Sequence, residues 1–460
     1  RPGATPAVFL PGARVCPYTL GQPSQDGGPM TQPPRPRRPL LNARSAILIA
    51  LFVLLCQIIV SRASADLSAL WLAGEVLREG RTDLVYPPDT TLFTMLPPPE
   101  WFARQAARGS DGDVFPYLYP PLWAALAARL GAYVDLSSVL MIAGYLNPVL
   151  LAGCLILAHR IARTRIPQEL WLAIGLVALM GTMIGYVAVL QDQPQILVAF
   201  LTLLAIERAE SGAPRSAGAI LALAAAIKVF PALVALIWLF GRSRRAAVWF
   251  ALFGAVIGLL SILLAGWPLH LDFLRMMQVL SGTAVITVVS YSIDSVLLQL
   301  LTPGGITFIA NPARDPVDGG VLGWNVLPKP ALVTAAGAAL QLVTILLAAR
   351  ALSTARDTFR RAAIWAAALT CLALVGPVGW SYYYIAPATF LPLLIVWHGP
   401  LRGTVILSVL IGAISLPTLA LDLPGLGAVP AAQLAGVVMT AAMAVLFSRA
   451  GAIGKARTPR

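Results

Sequence analysis

Apolar runs of about twenty residues recur along this chain, and they constrain its fold more than any other feature. Of its 460 residues, 58% are hydrophobic and only 12% are charged. A soluble domain carries about 25% charged residues, so this chain has too few polar residues to cover its surface in water. Since about twenty apolar residues cross the hydrocarbon core of a bilayer, the sequence predicts an all-α, polytopic integral membrane protein.

Ten apolar windows are long enough to count as predicted crossings. They are residues 45–62, 138–160, 169–190, 194–209, 246–265, 329–351, 361–377, 381–397, 404–421 and 429–448. Basic residues cluster before the first window, between later ones and in the C-terminal tail. Because cytoplasmic loops are enriched in Lys and Arg, we expect both termini to lie on the cytoplasmic side of the inner membrane. The net charge of +13 then requires no nucleic-acid partner.

A further apolar stretch, 214–246, satisfies the charge rule best as a hairpin. Arg215 lies at one end and Arg242 at the other, while Lys228 and Pro231 lie in the middle. Proline interrupts a helix, and irregular backbone is tolerated at membrane depth where protein buries it. We therefore expect a helical hairpin on the cytoplasmic side with Lys228 near its tip. A single long span is the alternative.

The predicted spans and their connections form one domain. The expected parts are a disordered, basic and Pro-rich segment 1–43, one transmembrane domain 44–450 with large outer loops 63–137 and 266–328, and a basic cytoplasmic tail 451–460. Either Met30 is the native start or residues 1–29 form a disordered tail, and both alternatives stay open.

Cysteine and histidine are scarce and scattered. The chain has four cysteines, none in a CxxC pair, and three histidines without a ligand partner at helical spacing. We therefore expect no disulfide framework, no metal site and no cofactor.

Asp66 lies just beyond the first predicted span, at the head of a Trp- and Leu-rich segment. One interpretation makes it the N-cap of a helix over 67–79 that Gly80 closes. The other makes it a general base at the membrane–water boundary, where a carboxylate can take a proton from a hydroxyl group. The two interpretations are compatible.

Two other polar features interrupt the apolar pattern. The connection between two predicted spans contains Gln191, Asp192, Gln193 and Gln195, either as a tight outer turn or as hydrogen-bonding partners of substrate hydroxyls. Lys228 is a cation within an apolar run, where a charge is costly and usually faces a cavity or a partner. It either snorkels to the interface or neutralises an anionic lipid phosphate.

Aromatic residues gather at the outer end of the predicted span 381–397. Trp380, Tyr382 and Tyr383 form an interfacial aromatic belt in one interpretation, and in the other they stack on the apolar face of a sugar ring. Ser290 and Tyr291 are a weaker candidate of the same kind.

Several segments resemble glycosyltransferase family 87, in the same order and at similar spacing over about 40–400. The quoted segments are "ADLSALWLAGEVLREGRTDLVYPPDTTLF", "FPYLYPPLWAAL", "LQDQPQILVAFLTLLAI", "AGAILALAAAIKVFPALVALIWLFGRSRRA", "SYSIDSVL" and "GWSYYYIAP". The second is similar to the Y-x-P-P segment of the family and adds Tyr117 and Tyr119 as candidate substrate-binding residues. The chain departs from the family pattern where Tyr382 or Tyr383 stands in place of a frequent histidine.

The resemblance implies a GT-C-like fold and an inverting transfer of a sugar, such as mannose or arabinose, from a polyprenyl-phosphate donor. The acceptor is a lipid or a glycan on the outer face of the membrane. Asp66 falls on the proposed catalytic aspartate and Lys228 on the hairpin lysine that faces the donor phosphate. The implied partners are therefore this donor, this acceptor and membrane lipids.

Three alternatives stay open at this point. Arginines in the first outer loop are compatible with a polymerase or ligase of lipid-linked polysaccharide. A transporter or flippase would favour broken spans paired across two internal repeats, and only one such break is evident. The tyrosines in place of histidine leave a catalytically idle scaffold as the third alternative.

Overall fold

The computed structural model describes residues 41–59, 64–88, 90–108, 114–311, 323–415 and 431–453. The expectations for 1–29, for Met30 and for 454–460 lie outside these residues. From Ala43 onward the chain forms one compact unit, and most of its described residues are helical.

Nineteen helices are described, with three short 3-10 turns at Thr82–Leu84, Pro303–Gly305 and Ser381–Tyr384. Up to the reversal of the chain near Lys228 the helices are α1 (Ala43–Ile59), α2 (Ala65–Arg78), α3 (Glu100–Ala106), α4 (Pro121–Leu130), α5 (Leu136–Ala162), α6 (Gln168–Met180), α7 (Met183–Leu190), α8 (Gln195–Glu210) and α9 (Pro214–Ile227). After it come α10 (Ala232–Phe240), α11 (Arg244–Ala265), α12 (Trp267–Ser281), α13 (Ile293–Leu301), α14 (Ala331–Thr354), α15 (Thr358–Leu374), α16 (Ile385–Ala388), α17 (Leu393–His398), α18 (Pro400–Ala413) and α19 (Ala431–Ile453).

Four of the described helices are long and apolar enough to cross a membrane: α5, α11, α14 and α19. A fifth span results if α6 and α7 count as one, although the pair bends by 76°. The apolar helices α1, α9 and α18 are shorter. These helices indicate a membrane protein, and a bilayer about 30 Å thick matches the length of the four longest.

The predicted window 381–397 is not one helix. A 3-10 turn, α16 and α17 divide it, because Pro387 and Pro392 each lack an amide hydrogen that a continuous helix would use. Gly399 then ends the segment at a φ of 84°, a left-handed conformation that favours glycine.

The second outer segment contains structure beyond the expected helix at α13. Three antiparallel strands, β1 (Thr283–Ile286), β2 (Thr307–Ala310) and β3 (Gly323–Pro328), form a sheet in the order β1-β3-β2. Thr283 pairs with Pro328 and Thr307 pairs with Val326. The all-α expectation therefore holds for the bulk of the described chain and is wrong for this segment, where Thr, Val, Ile and Phe favour strands.

The chain reverses direction between α9 and α10. Gly218, near the start of α9, packs against Phe250, near the start of α11. Ala226, near the end of α9, and Ser261, near the end of α11, line the same cavity. The two helices therefore run side by side in the same direction. Because α10 ends at Phe240, just before α11 begins, α10 returns toward the end where α9 starts.

Ion pairs join three segments at one end of the helices. Arg160 of α5 pairs with Glu207 of α8 at 2.7 Å, and Arg361 of α15 pairs with Glu210 at 2.5 Å. Glu210 is the last residue of α8 and Gln195 is the first. At 1.5 Å per residue, the length of α8 places this charged end about 20 Å from the turn that precedes the helix.

Candidate active site

The helix that carries Asp66 begins earlier than expected. Ser64 precedes α2 with a left-handed backbone, at φ 32° and ψ 40°, and Asp66 lies in the first turn of the helix. The interpretation of Asp66 as the N-cap is therefore wrong, and its side chain is available for other contacts. Gly80 does close the helix, with a φ of 79° and an amide that donates to the Leu77 carbonyl at 3.1 Å.

The Asp66 carboxylate lies among three polar side chains from three different elements. The Gln193 amide donates to its Oδ2, and the Tyr119 hydroxyl is a second hydrogen-bonding partner. The ammonium of Lys228 lies close enough to act on its charge. Three segments thus meet at α2: the turn before α8, the segment before α4 and the reversal after α9.

Burial raises the pKa of Asp66 from 3.8 to about 6. The positive charge of Lys228 and the Tyr119 hydroxyl act in the opposite direction. Burial disfavours the charged form of a carboxylate, whereas an opposite charge favours it. At neutral pH the carboxylate is therefore mostly ionised, yet it is basic enough to hold a proton for part of a reaction.

Lys228 lies in a cage of three tyrosine rings. Its Nζ is 5.3 Å from the ring centroid of Tyr119, 5.0 Å from that of Tyr382 and 5.2 Å from that of Tyr383. Phe230 stacks on Tyr383 at 6.0 Å and closes that side. A cation within 6 Å of an aromatic face is attracted by the ring, so the three rings together attract the ammonium of Lys228.

The polar side chains of the turn between α7 and α8 contact two different parts of the protein. Asp192 adopts a left-handed φ of 46° and accepts from Asn147 at 3.1 Å, inside the helix bundle. Gln193 is turned toward Asp66, with Gln191 beside it at 3.4 Å. The sequence indicated the polar turn as a whole, but its spacing does not show that Gln193 is the side chain that faces α2.

Tyr117 and Gln195 lie next to the site, and their roles are structural in the part of the chain that the structure describes. The Tyr117 hydroxyl donates to the Pro120 carbonyl at 2.7 Å and accepts from the Ala124 amide at 3.0 Å. Its ring packs against that of Tyr119 in a tilted arrangement, with the ring centroids 5.6 Å apart. Gln195 is buried at the start of α8. Tyr117 therefore supports Tyr119 and fixes the start of α4.

Ser290, Tyr291 and Trp380 form a support on the far side of the cage. Ser290 and Trp380 pair as an isolated antiparallel β-bridge, and the Tyr291 amide donates to the Gly379 carbonyl at 2.6 Å. Trp380 stacks on Tyr382 at 6.1 Å. Trp380 is the member of this group whose ring contacts the rings around Lys228 within the described residues.

Comparison with known proteins gives one match. The family model of glycosyltransferase family 87 matches residues 117–377, which include Tyr119, Gln193 and Lys228. Asp66 precedes the matched region, and Tyr382 follows it. No curated protein and no solved structure matches the chain. Because the match covers more than half of the chain, the protein belongs to glycosyltransferase family 87.

Proposed function

We propose that the protein transfers a sugar from a polyprenyl-phosphate donor to a hydroxyl group of a lipid or glycan on the outer face of the inner membrane. The proposal includes a GT-C-like fold, cytoplasmic termini and inversion at the anomeric carbon. One observation carries it: a carboxylate of raised pKa and a caged ammonium share one site.

The two charges suit the two ends of a single displacement. Asp66 takes the proton of the acceptor hydroxyl while the acceptor oxygen bonds to the anomeric carbon. The bond between that carbon and the phosphate oxygen breaks, and its electron pair stays on the lipid phosphate. Lys228 stabilises the charge of this leaving group. The proton, the sugar and the phosphate are all accounted for without a further reactant.

Gln193 offers a partner for a substrate hydroxyl. Its side chain is fully buried, and its Oε1 has no hydrogen-bond partner within the part of the chain that the structure describes. A buried acceptor without a partner costs free energy. A sugar hydroxyl that donates to Oε1, beside the Asp66 carboxylate, would remove this cost and orient the sugar.

An apolar cavity of about 290 Å³ supports the lipid nature of the donor. Its inner end is lined by Pro120 and Val229, the sequence neighbours of Tyr119 and Lys228. Gly254 and Gly258 of the largely exposed helix α11 line its outer side. The cavity thus lies between the sequence neighbours of the lysine and the exposed helix α11, where the chain of a polyprenyl phosphate would lie.

Filling this cavity is expected to weaken long-chain donors selectively. A Cβ at Gly258 meets no atom within 4 Å, so a larger side chain can start there without a clash, and Gly258→Phe is expected to displace the lipid chain. Each buried methylene contributes about 0.8 kcal/mol, and the loss of two corresponds to a rise of about tenfold in KM for a polyprenyl donor. The KM for a donor with a short chain should stay near the wild-type value.

Gly412→Phe is the matched control, because a Cβ at this exposed α18 glycine also meets nothing within 4 Å. Equal KM values of the Gly258→Phe variant and the wild type for the polyprenyl donor would place the lipid chain elsewhere.

The transfer rate is expected to fall at acidic pH and to follow the ionisation of a single group, Asp66. Protonation of Asp66 removes the base, so kcat/KM should rise with pH through about 6 and level off above it. We would measure initial rates from pH 4.5 to 9 with the protein in nanodiscs. A rate that is constant across pH 6 would contradict the role of Asp66.

A transfer assay tests the proposal as a whole. Purified protein in nanodiscs would receive labelled polyprenyl-phosphate mannose, arabinose or glucose with a membrane extract as the acceptor. Label that moves to the acceptor, with wild-type protein only, supports the proposal and identifies the sugar. Folded protein that transfers none of the three would count against this donor class.

The same assay distinguishes the alternatives. A polymerase or ligase would extend a lipid-linked oligosaccharide in place of consuming the monosaccharide donor, and a flippase would move the donor without cleaving it. Three of the five arginines of the first outer loop are paired with carboxylates, namely Arg81, Arg104 and Arg108, so these three offer little free charge to a polymerase substrate.

A further inference from the structure

Lys329 is a second buried lysine, remote in sequence from the proposed catalytic residues. It lies between β3 and α14, and its side chain is 1% exposed. Its Nζ lies 2.5 Å from Oδ2 of Asp294, in the first turn of α13, and also donates to the Pro377 carbonyl. One ammonium therefore joins the sheet, α13 and the segment that follows α15.

The segment attached to Lys329 is the one that supplies the tyrosine cage. The Tyr291 amide donates to the Gly379 carbonyl, and the Ser381 amide donates to the Val289 carbonyl at 2.7 Å. A Cβ on Gly379 would lie only 2.8 Å from the Ser292 amide nitrogen, so the two strands of chain are in close contact. Pro377–Tyr384 thus has one position relative to α13.

This position determines where two of the three rings around Lys228 lie. Tyr382 and Tyr383 follow the segment directly, with their ring centroids 5.0 and 5.2 Å from the Lys228 Nζ. A path of direct contacts therefore runs from Asp294 and Lys329, through Pro377 and Trp380, to the cage.

A buried ion pair contributes little net stability compared with well-packed apolar residues, whereas loss of one partner is strongly unfavourable. In the observed arrangement the Lys329 ammonium has two partners, Asp294 and the Pro377 carbonyl. Such a pair is suited to select one arrangement of the chain, as buried polar groups do in some proteins.

We propose that Asp294 and Lys329 are positioning residues for sugar transfer, which hold the Trp380–Tyr383 segment against Lys228. This inference rests on the proposed function. Neither residue contacts the reacting atoms, and both act through the cage: when the segment shifts, the rings move away and Lys228 no longer has a fixed place beside Asp66.

The variants Lys329→Met and Asp294→Asn test the proposal, because each removes one partner of the ion pair and the kinetics of transfer can then be measured. We expect a rise of about tenfold in donor KM with a smaller change in kcat. We also expect the acid limb of the pH profile to move to higher pH, because the Lys228 charge lowers the pKa of Asp66. The other side chains around Asp66 carry no charge in the pH range of this acid limb. They are Tyr119, Tyr382, Tyr383 and Gln193.

Two further variants separate positioning from general stability. Lys329→Arg keeps donors for both acceptors and should recover part of the activity. Asp272→Asn breaks the exposed pair with Arg275 in the same outer segment and should leave KM and the pH profile unchanged. A lowered unfolding temperature with wild-type donor KM and pH profile in both test variants would overturn the proposal.

A readout without transfer keeps the inference independent of the proposed function. Hydrogen exchange of the 378–384 amides should accelerate at least tenfold in Lys329→Met, with exchange in α5 and α8 unchanged. Unchanged exchange at 378–384 would overturn the positioning role even if the wild type transfers sugar. If exchange is faster in Lys329→Met and the wild type transfers no sugar, the segment is held as proposed while the proposed function fails.

Discussion

Asp66→Asn is expected to lower the rate of sugar transfer by about a thousandfold, within the range that general-base catalysis contributes. The amide has nearly the shape of the carboxylate and can still accept from Gln193, so the site keeps its geometry and loses only its base. The rate would be measured with saturating donor and acceptor at pH 8, where the wild-type carboxylate is ionised.

The stability of the same variant shows whether a loss of rate is chemical. Because the pKa of Asp66 is raised by folding, the native state binds this proton more tightly than the unfolded chain does, and stability falls as pH rises between 3.8 and about 6. Asparagine cannot ionise, so the variant should unfold at the same or a higher temperature at pH 8.

Glu75→Gln is the matched control for Asp66→Asn. Glu75 lies on the same helix and is engaged with Arg108 and with the indole of Trp71. The control should retain transfer within about twofold. Transfer by Asp66→Asn at a rate close to that of Glu75→Gln would show that Asp66 is not the base.

The charges of the site could be predicted from the sequence because they are rare. Asp66 and Lys228 stand out where nearly every neighbour is apolar, and an ionisable residue in such surroundings marks a function. The sequence also indicated the reversal near Pro231, since both flanks are basic. What it did not contain was the distance between the two charges, which depends on how α2, α4 and α9 pack.

The parts that sequence reasoning missed depend on single backbone conformations. A left-handed Asp192 decides that Gln193 faces Asp66, and a left-handed Ser64 decides that Asp66 is not the N-cap. Neither residue is glycine, and a positive φ is uncommon in other residues, even in Asp where it is enriched, so the sequence does not indicate these conformations. The strands of the second outer segment are short, so the alternation of buried and exposed side chains along them is weak. They also pair across a long intervening stretch of the chain.

Lys228→Met is expected to weaken binding of an isoprenyl phosphate by about 30- to 100-fold. A hydrogen bond to a charged group contributes about 1.5–3 kcal/mol, and methionine fills the tyrosine cage without the charge. Binding of farnesyl phosphate and of farnesol to protein in nanodiscs would be compared. The phosphate should lose affinity in the variant, whereas farnesol, which lacks the charge, should bind both proteins alike.

Arg215→Met provides the control on the same helix. The Arg215 guanidinium lies over the Trp249 ring at 5.3 Å, so its removal also deletes a cation–π contact, but at the opposite end of α9. Affinity for farnesyl phosphate should not change. If Lys228→Met binds farnesyl phosphate as tightly as Arg215→Met does, the phosphate lies elsewhere, and the cage then holds Lys228 chiefly to lower the pKa of Asp66.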